Sequence, residues 1–175
     1  MPSLEELTQA LPPLQAQAQT LVAQYRQALL EHLPPHPLQE VRHLCTQQSP
    51  KQFLQLSETA QKRLIHLTQQ LAQALCQELA QHTAPGSPDQ LAALVEPYLQ
   101  ASERQLNQLL SLEDLGPISL RVFAAELGSP VLRSLRAQWQ VNQSRQAAIQ
   151  RQISLLETKQ QIAAAEARWD ELARS

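Results

Sequence analysis

The residues best able to do chemistry lie close together early in the chain: His32, His36, His43 and Cys45 fall within about fourteen residues, and each can bind a transition metal. Their spacing fits no standard zinc pattern, His36 sits between Pro35 and Pro37, and no carboxylate is placed to orient a ring nitrogen. No metal is therefore assigned to them. A nucleophile would need a partnered base and a place for developing charge, and no serine or cysteine has a histidine and an acid in a recognisable local arrangement. The paired carboxylates Glu5-Glu6, Glu113-Asp114 and Asp170-Glu171 fall at helix ends or in connections, where acids cap and solubilise. No Glu-x-x-His motif of a di-metal bundle occurs. The expectation is a protein that is not an enzyme and carries no cofactor.

The second chemical feature is cationic. Between Glu126 and Glu157 there is no acidic residue, whereas Arg133, Arg136, Arg145 and Arg151 all lie on this stretch. At about 100° per residue, Arg133, Arg136 and Arg151 fall opposite the apolar side of a helix and Arg145 near its edge, where they would meet solvent or a partner. Four arginines without interleaved aromatics make a thin case for nucleic acid. A formal net charge of -2 also speaks against a general polyanion binder.

These groups must be positioned by helices. Hydrophobic residues make up 43% of the 175 positions but aromatics only 3%, so the core is leucine and alanine. Only three glycines occur, which leaves few residues for positive-φ hairpin turns or phosphate-cradling loops. Glutamine, roughly one residue in six, is interleaved with leucine at helical spacing and serves as the polar face. The two cysteines, Cys45 and Cys76, form neither a disulfide framework nor a CxxC motif and read as buried thiols. The amino terminus has no basic and apolar leader, and polar residues interrupt every leucine-rich run. A soluble, cytoplasmic chain without membrane insertion is expected.

Helix starts are marked by Ser-Pro pairs, which place a capping hydroxyl at N-cap and a φ-restricted proline at the first helical position. Ser49-Pro50 with Gln52 and Ser87-Pro88 with Gln90 have the spacing of capping boxes, as does Ser3 with Glu6. From these signals follow a short helix over about Leu4 to Leu11, broken at Pro12-Pro13; a long one from Leu14 to Leu33; and a brief one from about Leu38 to Cys45. A second long helix from Pro50 to near His82 stops at Thr83-Ala84-Pro85-Gly86, with His82 set against its dipole. A third runs from Pro88 to about Leu110, and a short one opens at Pro117-Ile118-Ser119 and is closed by Gly128.

From Pro130 the last helix can run about 44 residues, on the order of 65 Å. Its seam is Leu135, Trp139, Asn142, Gln146, Ile149, Ile153, Leu156, Gln160, Ala163 and Ala167, in steps of three and four like a coiled coil. Asn142, Gln146 and Gln160 are amides, which in such seams trade stability for register and partner choice. They point to pairing with the Pro50 to His82 helix or with a second copy.

The expected fold class is therefore all-α: an antiparallel bundle of three to four long helices plus short ones over residues 1–128, with a coiled-coil-like helix over 129–175 partly packed on it and partly extending. The expected function is a non-enzymatic protein-protein interaction module, an adaptor, assembly factor or accessory subunit, whose partner is another protein or a second copy. The contact residues would be Arg133, Arg136, Trp139, Asn142, Arg145, Gln146, Ile149, Arg151, Ile153, Leu156 and Trp169, the last as an anchor on a thin terminal helix. The alternative is a nucleic-acid-associated protein using the arginine face.

Overall fold

A computed structural model describes residues 1–81 and 86–175. The expected end of the second long helix at His82 to Pro85 lies outside the described residues. Among the described residues the chain is all-α without strands. Its helices are α1 (Leu4–His32), α2 (Pro35–His43), α3 (Pro50–Gln55), α4 (Glu58–Gln81), α5 (Pro88–Leu112), α6 (Val122–Leu127) and α7 (Pro130–Arg174), with a π-helical turn at Leu44–Gln48.

Three capping signals act as expected. Ser3 and Glu6 exchange both bonds of a capping box: Glu6 N–H donates to Ser3 Oγ at 3.2 Å, and Ser3 N–H donates to Glu6 Oε2 at 2.7 Å. Ser87 Oγ accepts from Gln90 N–H at 3.1 Å, although the Gln90 side chain accepts from Gly86 N–H at 2.7 Å and not from Ser87 as a capping box would have it, and Ser129 Oγ accepts from Leu132 N–H at 3.3 Å. Ser49 differs, making no side-chain cap bond. The start missing from the sequence reading is Ser57, whose Oγ accepts from Ala60 N–H at 3.1 Å after Leu56 turns extended. The expected Pro50 to His82 helix is thus two helices, α3 and α4.

Pro12 and Pro13 do not break the first helix. Each removes one backbone donor, but Thr8 and Gln9, whose carbonyls lose those donors, are exposed, so water can take the bonds. Buried Leu7 on one side and Ala18 and Leu21 on the other keep α1 in one piece. The block Pro34-Pro35-His36-Pro37 ends α1 as expected, yet it also opens α2, because prolines fit a first helical turn. Gly128 closes α6 with φ -80, in the right-handed region. The left-handed cap falls instead at Asp114, φ 57, where Leu115 N–H donates to Leu110 O at 2.8 Å and Asp114 N–H to Ser111 O at 3.2 Å. This is a Schellman closure of α5, sealed by the buried pair Leu110 and Leu115.

The chain divides into two compact units, Met1–Leu21 with Ala137–Ser175, and Val22–Arg136. The larger unit holds a leucine core built from Leu29, Leu64, Leu79, Leu99, Leu106 and Leu132 with Tyr25 among them. Its irregular stretch before α6 was expected to be helical. Three polar side chains on one face of α5 hold it extended instead: Asn107 brackets Ile118 at 2.9 and 3.0 Å, Glu103 accepts from Leu120 N–H at 2.9 Å, and Glu96 accepts from Val122 N–H at 3.0 Å. These bonds satisfy backbone groups that helix would otherwise pair, so Ile118 and Leu120 turn inward. In α6 Val122 and Ala125 are buried, whereas Phe123 and Leu127 are exposed.

In the smaller unit α7 contributes residues from Ala137 onward. Asn142, buried, donates through Nδ2 to Leu14 O at 2.9 Å and Gln17 Oε1 at 3.0 Å, and Gln146 Nε2 donates to Asn142 Oδ1 at 2.7 Å. Of the seam amides, expected to pair with the Pro50 to His82 helix or with a second copy, Asn142 and Gln146 instead meet the first half of α1. No described helix is long and apolar enough to cross a membrane.

Candidate functional site

Two sets of residues carry the chemistry of α7, and they divide at the boundary of the units. In the larger unit Arg136 is the centre of a polar cluster. Its Nε pairs with Glu126 and its Nη1 with Asp89, while Nη2 donates to Tyr25 OH at 3.1 Å and the guanidinium lies 5.4 Å from the centroid of that ring. The guanidinium's five donors suit this convergence of acceptors. Burial works against its charge, but the Glu126 and Asp89 hydrogen bonds outweigh burial and raise its pKa. Tyr25 is pushed up to about 12, first by burial and then by the Glu126 charge. The expectation that Arg136 points to solvent or a partner is corrected: it neutralises the buried Glu126 carboxylate within the fold.

The remaining arginines, Arg133, Arg145 and Arg151, are exposed. Of the seam, Asn142 is buried and Trp139, Gln146, Ile149, Ile153 and Leu156 are half-buried, with the Trp139 Nε1 donor enclosed and unpaired. The amides of Asn142 and Gln146 satisfy one another and Leu14, so they serve register within the chain. From Glu157 onward every residue of α7 is exposed, so Gln160, Ala163, Ala167 and Trp169 share no burial with the rest of the seam.

A second stripe was missed by reading only one seam. Val141, Leu155, Ile162, Trp169 and Leu172 are 52%, 63%, 53%, 75% and 56% exposed. Four of these, with half-buried Ala148, recur at steps of seven (141, 148, 155, 162, 169), and Leu172 follows the last by three. At about 100° per residue this stripe lies roughly opposite the Asn142-Gln146-Ile149 side. The helix has two apolar sides. The step-of-seven signal was present in the sequence and was masked by the denser seam of Leu135 to Ala167.

The early histidines do not converge. His32 and His43 are exposed, while His36 and Cys45 are buried, and among the described residues no three of His, Cys, Asp and Glu form a group able to hold a metal. His36 has a carboxylate beside it that the sequence reading did not assign, Glu40, 3.9 Å from Nδ1. Burial lowers the His36 pKa against the opposing pull of Glu40 and Glu96, and Nε2 is left without a partner. Burial also raises the Cys45 thiol. A groove of about 670 Å³ is lined by Leu30, Pro34, Leu38, His66, Ala72 and Cys76. Glu31 also lines this groove, but His66 there is engaged by Gln70 at 3.0 Å, and among the described residues no acid is paired with it.

What fold and surface define is an all-α protein with an exposed apolar stripe on its longest helix. No family model, no curated protein and no solved structure matches the chain.

Proposed function

We propose that this protein is a non-enzymatic interaction module, an adaptor, assembly factor or accessory subunit, acting through helix-on-helix contacts of α7. The observation that carries the reading is the exposure of Leu155, Ile162, Trp169 and Leu172 along one helix side. Single exposed apolar side chains are ordinary, but four on one helix side, a tryptophan among them, have the composition of a partner site. Helix-in-groove and coiled-coil recognition both read such stripes at steps of three, four and seven. The antiparallel bundle and the cytoplasmic setting, in which Cys45 and Cys76 stay thiols, are part of the same reading.

On this reading the contact set is narrower than the one expected from the sequence. Arg136, Asn142 and Gln146 drop out of the partner surface because their polar groups are engaged within the chain. Trp169 remains, joined by Leu155, Ile162 and Leu172. A photo-crosslinking residue placed at position 155, 162 or 169 should capture a polypeptide in cells, whereas one placed at exposed Lys51 should not. Absence of adducts at all three stripe positions would sink the reading.

Nucleic acid is the second reading, supported by exposed Arg133, Arg145 and Arg151. With Arg136 neutralised, three arginines remain of the four between Glu126 and Glu157, so binding to duplex or single strands should be weak and fall steeply with salt. No binding at low ionic strength ends it.

A further inference from the structure

We infer that the exposed stripe of α7 pairs with the same stripe of a second copy, antiparallel, over residues 155–172. The inference rests on the interaction reading above and names its partner. In heptad terms Leu155, Ile162 and Trp169 take the a positions, and Thr158, Ala165 and Leu172 the d positions. All six are exposed and lie on a continuous helix. An antiparallel coil sets a against d, so Leu155 meets Leu172 of the second copy, Thr158 meets Trp169, and Ile162 meets Ala165. Each large side chain except one leucine pair is set against a smaller one, which lets the helices approach without a void.

Charge selects this register. The flanking e positions are Lys159 and Glu166, and in the register just described Lys159 of each copy stands beside Glu166 of the other. Sliding one heptad in one direction brings Lys159 beside Lys159, and sliding in the other brings Glu166 beside Glu166. A parallel pair would set Lys159 against Ser154 and Glu166 against Gln161, gaining nothing from either charge. One arrangement is therefore self-complementary and its neighbours are repelled. Two-fold symmetry then supplies both ion pairs from one sequence feature. The contact area is on the order of 1,000 Å², at the lower end of specific interfaces, which suits a reversible dimer.

Sedimentation of the full chain at low salt should show a monomer-dimer equilibrium with Kd on the order of 10 μM. Ile162→Asp, on a fully solvated stretch where helix content by circular dichroism should persist, should raise Kd at least about tenfold. Lys159→Glu and Glu166→Lys should each raise it about threefold, and an equimolar mixture of these two variants should associate more tightly than either alone, because both cross-pairs become attractive. A chain that stays monomeric at about 300 μM overturns the inference, as does a dimer indifferent to Ile162→Asp or a charge-variant mixture no tighter than its components. The interaction reading itself is judged separately: a monomeric chain whose position 162 crosslinks to a different polypeptide keeps that reading and loses this one.

Discussion

Arg136 shows how one side chain can look like a surface feature in sequence and be structural in the fold. Its carboxylate partner Glu126 is buried, so removing the guanidinium leaves a charge without compensation. Arg136→Ala should cost roughly 3–5 kcal/mol in urea unfolding, and Arg136→Met combined with Glu126→Gln should cost less than that single change, since no charge is then stranded. Tyr25 above it gives a basic limit. Its folded pKa, about 12, exceeds the ordinary value of 10.0, so the stability it lends is complete below pH 10 and lost as pH rises towards 12. Tyr25→Phe should flatten that part of a melting-temperature profile. His36 gives the acid limit with opposite sign: burial depresses its pKa, so the folded state resists protonation. Stability is complete above the free imidazole pKa of about 6.5 and declines as pH falls below it. His36→Gln should lessen that decline; an unchanged acid slope would show that other groups set it.

At the scale of elements, helix ends decide more than helix interiors. The left-handed cap after α5 is held by Asp114, and glycine adopts that conformation without the Cβ penalty. Asp114→Gly should stabilise by about 0.5–1 kcal/mol, read as a raised melting temperature; a loss would mean the Asp114 side chain matters more than its backbone. Ser57→Ala should cost about 1 kcal/mol by uncapping α4. The Ser-Pro pairs at 87 and 129 were legible because proline and hydroxyl act within four residues of each other. Ser57 lacks the proline, and its role depends on Leu56 leaving the helix, so it reads as one more polar residue in a periodic run. The stretch before α6 was illegible for another reason: its conformation is set by Glu96, Glu103 and Asn107, 11 to 26 residues away.

At the scale of the whole molecule, α7 contains two kinds of helix. Through Leu156 its inner side is half-buried or buried, whereas residues 157–174 bury no side chain and rely on intrinsic propensity, which Ala163, Ala164 and Ala165 favour. In dilute protein the amides of residues 157–174 should exchange with solvent orders of magnitude faster than those of Leu99 and Leu106 in the core, and slow as concentration rises. Equal protection of both regions at every concentration would contradict this division.

The sequence by itself determined the helical class, the leucine core, the starts at Ser3, Ser87 and Ser129, and the length of the last helix, because each depends on interactions within one or two turns of chain. Tertiary structure alone decided that Asn142 and Gln146 meet Leu14, that Arg136 is spent on Glu126 and Asp89, and that α1 passes through two prolines unbroken. Periodicity states that a residue lies on a given side of a helix. What occupies that side depends on contacts between residues more than a hundred positions apart, and those are settled by packing.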